Sequence, residues 1–354
     1  MASNSEAVEE VLRALGVPEE GIERAKSHGD PLGAFFESMP LRGAADRTVS
    51  AAEIEADGGM PVEQSQELMR AFGLPAPEPE EAAFTPEEAL AFTELWRHQD
   101  IWPFELGVQI ARLYGRLLAR IAQASVAQWL AVAEPRLRAA EPDVPRRTIA
   151  AADSFDRLLP VADALLAGVH RRWVEREAAQ LAVRAAESGP GAALLSRVAE
   201  VSILFCDLKD FTAFADRRGD GAAVGIIDRF ASTVFDERGE EAGLTKLLGD
   251  GFMVVYPEPA PAVAAARRII QAMRSPDQPG IHASLHHGPA LPREGDYFGQ
   301  AVNLAARLLT LAERDELLVS SPVVERCPEF DWEHCGSELM RGFSDEVQVY
   351  RLRH

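Results

Sequence analysis

Leu244-Thr245-Lys246-Leu247-Leu248-Gly249-Asp250-Gly251-Phe252-Met253-Val254-Val255-Tyr256 is the stretch on which the fold turns. Two apolar runs, Leu244 to Leu248 and Phe252 to Tyr256, meet at Gly-Asp-Gly, and Asp-Gly between apolar runs marks a tight β-hairpin. Helical patterns flank it at Ala222 to Phe235 and Ala260 to Met273. Beyond them lie short apolar strands at Val201 to Cys206 and Ile281 to Leu285. The order β-α-β-β-α-β around a central hairpin predicts a ferredoxin-like α+β sandwich. A helix at Gln300 to Leu311 follows, and Leu317 to Ser320 and Val347 to Leu352 are predicted as closing strands.

Upstream the pattern changes. Helical segments at Glu6 to Leu15, Glu63 to Phe72 and Pro86 to Arg97 are punctuated by Pro and Gly, and strand signals are nearly absent. From about Phe104 to Val132, Ile110, Leu113, Leu117 and Ile121 recur at helical spacing. A second long helix, from about Ser154 to Ala186, carries Leu158, Leu159, Leu165, Leu166, Val169 and Trp173. Pro135 to Pro145 is predicted as the turn between them, and two such amphipathic helices are expected to pack on each other or on a second chain. Gly189-Pro190-Gly191 breaks the helix and marks the change from an all-α half to the α+β half.

The 354 residues hold 36 Lys plus Arg against 56 Asp plus Glu, a formal charge of −20. That excess of acid excludes binding to nucleic-acid backbones, whose affinity comes from cations on the protein. An anionic membrane surface is a poor partner for the same reason. Thr48 to Leu74 with Phe84-Thr85 resembles the first helices of a MerR-type DNA-binding domain, but Arg47 to Asp100 carries 3 basic and 12 acidic residues. Lysine occurs only at 26, 209 and 246. Cys206, Cys327 and Cys335 match no disulfide framework or zinc spacing. Met1 to Glu10 lacks the basic start of a signal peptide, and no run reaches the roughly 18 apolar residues of a membrane span, so a cytoplasmic location without integral membrane contact is expected.

Three segments carry chemistry. In Phe205-Cys206-Asp207-Leu208-Lys209-Asp210-Phe211-Thr212 an apolar strand ends in an aspartate that leads into a helix start, a place for a hard cation with backbone amides facing a phosphate. The second segment is the hairpin, which sets Lys246 and Asp250 four residues apart. The third runs from Gly295-Asp296 to Asn303-Leu304-Ala305-Ala306-Arg307, where Asn303 and Arg307 share one helix face. Singly, each has an ordinary reading: a strand-end turn, a two-residue hairpin, a solvated helix surface.

In this order and spacing the three segments resemble the catalytic domain of class III nucleotidyl cyclases, over about residues 195 to 354. The hairpin is also similar to that of diguanylate cyclases, which lack the Asn-x-x-x-Arg helix. The resemblance implies that Asp207 and Asp250 bind metal, that Lys246 and Asp296 select the purine, and that Asn303 and Arg307 act on the transition state. It implies two divalent cations per site, Mg²⁺ or Mn²⁺, and a homodimer whose composite sites take the two aspartates from one protomer and the other four residues from its partner. Phe211, Thr212, Lys209 and Arg341 are further candidates for contact with phosphate. Adenine offers an N6 donor and an N1 acceptor, which Asp296 and Lys246 complement, whereas guanine reverses that edge; ATP is the expected substrate and 3′,5′-cyclic AMP the expected product.

One position departs from the family, which usually has Gly where this chain has Asp210. A carboxylate 4 Å from the triphosphate would repel it by roughly 1 to 4 kcal/mol, and Lys209 is expected to offset that charge. The N-terminal half resembles, more loosely, the regulatory domain ahead of some bacterial class III cyclases, through the acidic Glu63 to Pro79 stretch and the Phe84-Thr85-Pro86-Glu87-Glu88 helix start. The resulting division is a helical regulatory and dimerisation domain at 1–188 that receives an unidentified signal, a hinge linker at 189–197 and a catalytic domain at 198–354. A catalytically silent nucleotide-binding or scaffold relative, and a guanylyl-type cyclase, remain as alternative readings.

Overall fold

The computed structural model describes residues 2–28, 46–188, 198–293, 295–343 and 345–353. The expected hinge at 189–197 lies outside them. The chain separates into two compact units, Met1–Ala192 and Ala193–His354.

The first unit begins with α1 (Ala2–Ala14) and α2 (Glu19–His28), which close on Leu12, Val17 and Ile22. Next come β1 (Val49–Ser50), α3 (Ala51–Ala56), α4 (Val62–Ala71), β2 (Ala82–Phe84) and α5 (Pro86–Arg97). The two short strands, absent from the sequence reading, pair antiparallel with Val49 opposite Phe84. Strands of two and three residues are too short to show alternation, and each runs straight into a helix fixed by a capping box: Ser50 with Glu53, Thr85 with Glu88. Ala51, Ile54, Met60, Leu68, Phe84, Phe92, Val108 and Ala111 form the core of this subdomain.

Helix α6 (Phe104–Gln128) passes through a π-helical turn, Trp129–Ala133, into α7 (Glu134–Ala140), and α8 runs from Val144 to Ser188. The predicted Pro-rich turn is therefore shorter than Pro135 to Pro145. Pro135 lies in α7 directly after the π-helical turn, in a helix that continues without interruption from α6, and the break is confined to residues 141–143. Helix α8 starts ten residues before the predicted Ser154. The two long helices meet where Tyr114 Oη lies 3.0 Å from His170 Nε2 and where Trp129 packs edge-on against Phe155 at 5.7 Å. Leu117, Leu118, Ile121, Leu158, Leu165 and Val169 stay exposed in the single chain.

The second unit is a seven-strand path with α-helices on both faces. Its elements are β3 (Ala199–Leu208), α9 (Phe211–Arg218), α10 (Asp220–Glu237), β4 (Thr245–Leu248), β5 (Gly251–Tyr256), α11 (Pro259–Met273), β6 (Ile281–Arg293), β7 (Asp296–Phe298), α12 (Gln300–Leu311), β8 (Leu317–Ser320), α13 (Ser321–Arg326), β9 (Trp332–Glu338) and β10 (Val347–Leu352). The sheet order is β4-β5-β3-β6-β8-β10-β9, with β7 added to the end of β6. Its first four strands keep the ferredoxin-like order, with the predicted hairpin at the edge. Strand β3 lies between antiparallel β5 and β6 and is buried on both sides, which explains its unbroken apolar run. Leu204 and Cys206 face Phe230, Val234, Ile269 and Met273 of α10 and α11; Ile203 and Phe205 face Ala301 and Ala305 of α12.

Strand β6 continues well past the predicted end at Leu285 because its polar residues are paired inside the sheet. His286 Nδ1 lies 2.6 Å from Ser320 Oγ, and His287 Nδ1 lies 2.8 Å from Ser202 Oγ. Burial pushes the His286 imidazole down to about 4, so it stays neutral there. Strands β7 and β9 were not predicted either; β9 is largely exposed and has no clean apolar alternation.

In the first unit α6 approaches the end of α4 closely at Gly115, where a Cβ would fall 2.2 Å from the carbonyl oxygen of Phe72. Gly115→Ala should force α4 and α6 apart and destabilise that unit by roughly 1 to 3 kcal/mol, read as a lower midpoint in chemical denaturation.

Candidate active site

The apolar run of β3 ends at Asp207, opposite Gly251 of β5 on one side and His282 of β6 on the other. Asp207 Oδ1 accepts the N–H of Leu208 at 2.8 Å. The β4–β5 turn places Gly249, at φ 70°, beside Asp250. The hairpin is thus both the tight turn that its dipeptide predicts and the means of delivering a second carboxylate. Burial, followed by the charge of Asp207, pushes the Asp250 carboxyl above the ordinary aspartate range, while His282 draws it partly back. A Cβ on Gly251 would lie 2.9 Å from Asp207 Oδ1, so the absent side chain leaves room for the carboxylate.

Two neighbouring carboxylates of this kind suit a hard divalent cation that takes its remaining ligands from water and from a phosphate substrate. Among the described residues no group of three or more His, Cys, Asp or Glu is arranged to hold a metal.

Lys246 of β4 forms an ion pair with Asp296 at the start of β7, both half-buried. Asp296 is held by its own backbone, since its Oδ1 accepts the N–H of Tyr297 at 2.9 Å. On α12, Asn303 is exposed, with its N–H bonded to the Gly299 carbonyl at 3.2 Å. Arg307, one turn on, lies over the Phe343 ring at 5.2 Å. The six residues therefore come together as three pairs, and among the described residues no hydrogen bond or ion pair joins one pair to another.

The sequence matches no family model. It is 28% identical to a pH-sensitive adenylate cyclase of Mycobacterium tuberculosis over 318 residues, covering 86% of this chain and 78% of that protein. It is 27% identical to an adenylate cyclase of Streptomyces coelicolor over 313 residues, covering 87% of this chain and 78% of the relative. Both relatives are named adenylate cyclases. Among solved structures, the adenylyl cyclase CyaB from P. aeruginosa aligns with 44% of this chain and 95% of its own, at 21% identity and a TM-score of 0.39.

The remaining residues that the sequence singles out are placed as follows. Phe211 opens α9 and packs on the main core, and Thr212 beside it is exposed. Arg341 is exposed in the loop between β9 and β10. Lys209 does not pair with Asp210 as expected: its Nζ donates to the Ala312 carbonyl at 2.9 Å and lies 3.8 Å from Glu313. The amine is thus a brace for the C-terminal end of α12, where helix carbonyls lack internal partners.

Asp210 is exposed at φ 61° and ψ 29°, a left-handed conformation. The glycine usual at this position in the family therefore answers a backbone demand, and Asp meets it better than most side chains. Its side chain borders a cavity of about 260 Å³ with Lys209, Phe214, Arg217, Arg218 and Arg314. The guanidinium groups lining it supply positive charge that the expectation about Lys209 alone overlooked.

His282 escaped the sequence reading. Its Nε2 is 3.8 Å from Asp207 Oδ2 and its Nδ1 is 3.2 Å from the Ala312 carbonyl, so it ties the first aspartate to the end of α12. The signal was present as a polar residue near the start of an apolar strand, but its contact partner is set by the cross-strand register.

Because the Asp250 carboxyl is raised, its ionised form is disfavoured in the folded state. The associated stability is present in acid and is lost as pH rises through the folded-state value. Asp250→Asn should therefore unfold at a slightly higher temperature than the parent at neutral pH in the presence of a chelator, with the gap closing in acid. Thermal unfolding across a pH series checks this.

Proposed function

We propose that this class III cyclase converts ATP to 3′,5′-cyclic AMP and pyrophosphate. The observation that carries the reading is the Lys246–Asp296 pair, which sets an ammonium donor beside a carboxylate acceptor in the arrangement that complements adenine N1 and N6. Guanine would face each group with its like, so the same pair disfavours GTP. The names of the two relatives that span most of the chain agree with this substrate.

The ribose 3′-oxygen forms a bond to the α-phosphorus as the bond from that phosphorus to the pyrophosphate oxygen breaks. Asp207 and Asp250 would hold Mg²⁺ or Mn²⁺, two per site, which when bound lower the pKa of the 3′-hydroxyl and neutralise the leaving pyrophosphate. Arg307 supplies positive charge to the α-phosphoryl oxygens, and Asn303 orients the ribose. The sites would be composite in a homodimer, with the carboxylates of one protomer facing the other four residues of its partner, as the resemblance to class III cyclases implies.

Asp250→Ala and Asn303→Ala should each lower turnover on the order of a hundredfold or more. Mixed in equal amounts, they form hybrid dimers with one intact site, restoring about a quarter of the parental cyclic AMP production. No cyclic AMP from the parent with either metal would favour a silent scaffold, and preferential cyclic GMP from GTP would favour the guanylyl alternative.

We further propose that the 1–188 region dimerises and controls the 198–354 domain through the 189–197 segment. The support is the row of exposed Leu117, Ile121, Leu158, Leu165 and Val169 on the two long helices, apolar side chains of the kind that mark an interaction surface when they are contiguous. Leu165→Glu should shift the full chain toward monomer in sedimentation and lower its cyclase activity in proportion.

A further inference from the structure

The loop between β9 and β10 reaches the catalytic helix at one point. Met340 to Phe343 forms a tight turn closed by a 3.0 Å hydrogen bond from the Phe343 N–H to the Met340 carbonyl. Gly342 adopts φ 85°, and a Cβ there would lie 3.4 Å from Arg307 Nη1. Phe343 is half-buried against the cluster of Leu304, Leu308, Leu318, Met340 and Val349. Leu304 and Leu308 belong to α12 and flank Arg307, so the same apolar cluster anchors both the aromatic ring and the helix that carries the arginine.

The guanidinium carbon of Arg307 lies 5.2 Å from the Phe343 ring centre. No carboxylate among the described residues pairs with this arginine, and its Nη1 is buried without a hydrogen-bond partner among them. A ring face attracts a guanidinium without consuming its N–H groups, which lie in the plane of the cation. An acid at the same place would occupy those donors and compete with a phosphoryl group for them. A buried donor left unpaired is costly, and that cost is relieved when an anionic acceptor arrives.

We propose that Phe343 is a positioning residue for Arg307, holding the guanidinium by its face so that its edge stays available to the α-phosphoryl oxygens as charge builds in the transition state. The inference rests on the role given to Arg307 in the proposed function. Arginine otherwise loses side-chain freedom when it engages a substrate; the ring and the closely approaching Gly342 remove much of that freedom beforehand. Because the interaction bears on the transition-state contact and not on the purine, its loss should appear in kcat and leave KM for ATP largely unchanged.

The test compares Phe343→Leu, which keeps an apolar side chain without a π face, with Phe343→Tyr, which keeps the ring, in the full chain. Phe343→Leu should lower kcat by roughly three- to thirtyfold, with KM within twofold of the parent in the same assay, while Phe343→Tyr should restore turnover. In an Arg307→Ala background, Phe343→Leu should add no further loss. If Phe343→Leu lowers the unfolding temperature, Phe343→Met provides a second ring-free side chain for the same comparison. Parental kcat in a ring-free variant, or an equal loss with Arg307 already removed, would overturn the role of Phe343. Full activity in Arg307→Ala alone would instead overturn the reading of the site on which the inference rests.

Discussion

The antiparallel pairing of β3 with β5 is the constraint on which the second unit depends. It brings Asp207 near Asp250, whose proton affinity is raised first by burial and then by the charge of Asp207. The pairing of β3 with β5 holds them together because β3 is buried on both faces and cannot shift register without moving its core residues.

The same sheet explains what the sequence could reveal. The hairpin, the β3 run and the Asn303–Arg307 helix were legible because their periods and spacings are local. Where β6 ends was not: its continuation through His286, His287 and Gly288 is polar in sequence, and its hydrogen bonds come from Ser320 and Ser202, distant along the chain. Lys209 illustrates the same limit. Its neighbour in sequence is Asp210, but its partner in space is the carbonyl of Ala312. Pairwise proximity of Lys246 and Asp296 depended on β7, a strand of three residues with no periodic signature.

In the first unit the legible and illegible parts divide differently. The apolar stripes of the long helices were plain from their spacing, and so was the helix start at Thr85, whereas the capping box at Ser50 emerged only in the fold. The extension of α8 upstream past Pro145 was not, because proline reads as a breaker until its place in the first turn of the helix is known. The π-helical turn at Trp129–Ala133 adds a local irregularity between α6 and α7, and a single buried tryptophan gives no periodic warning of it.

The carbonyl of Ala312 receives both Lys209 Nζ and His282 Nδ1. One end of α12 is thereby fixed to the strands that bear and border Asp207, while its other end carries Asn303. A helix held at one end moves as a lever. Nine residues separate Ala312 from Asn303, a radius of about 13 Å, so a tilt of about 10° sweeps Asn303 through about 2 Å and leaves the pivot in place. Geometry of this kind turns a small rigid-body adjustment into selective displacement of the Asn303 end of the helix, with the Asp207 side of the same domain held fixed.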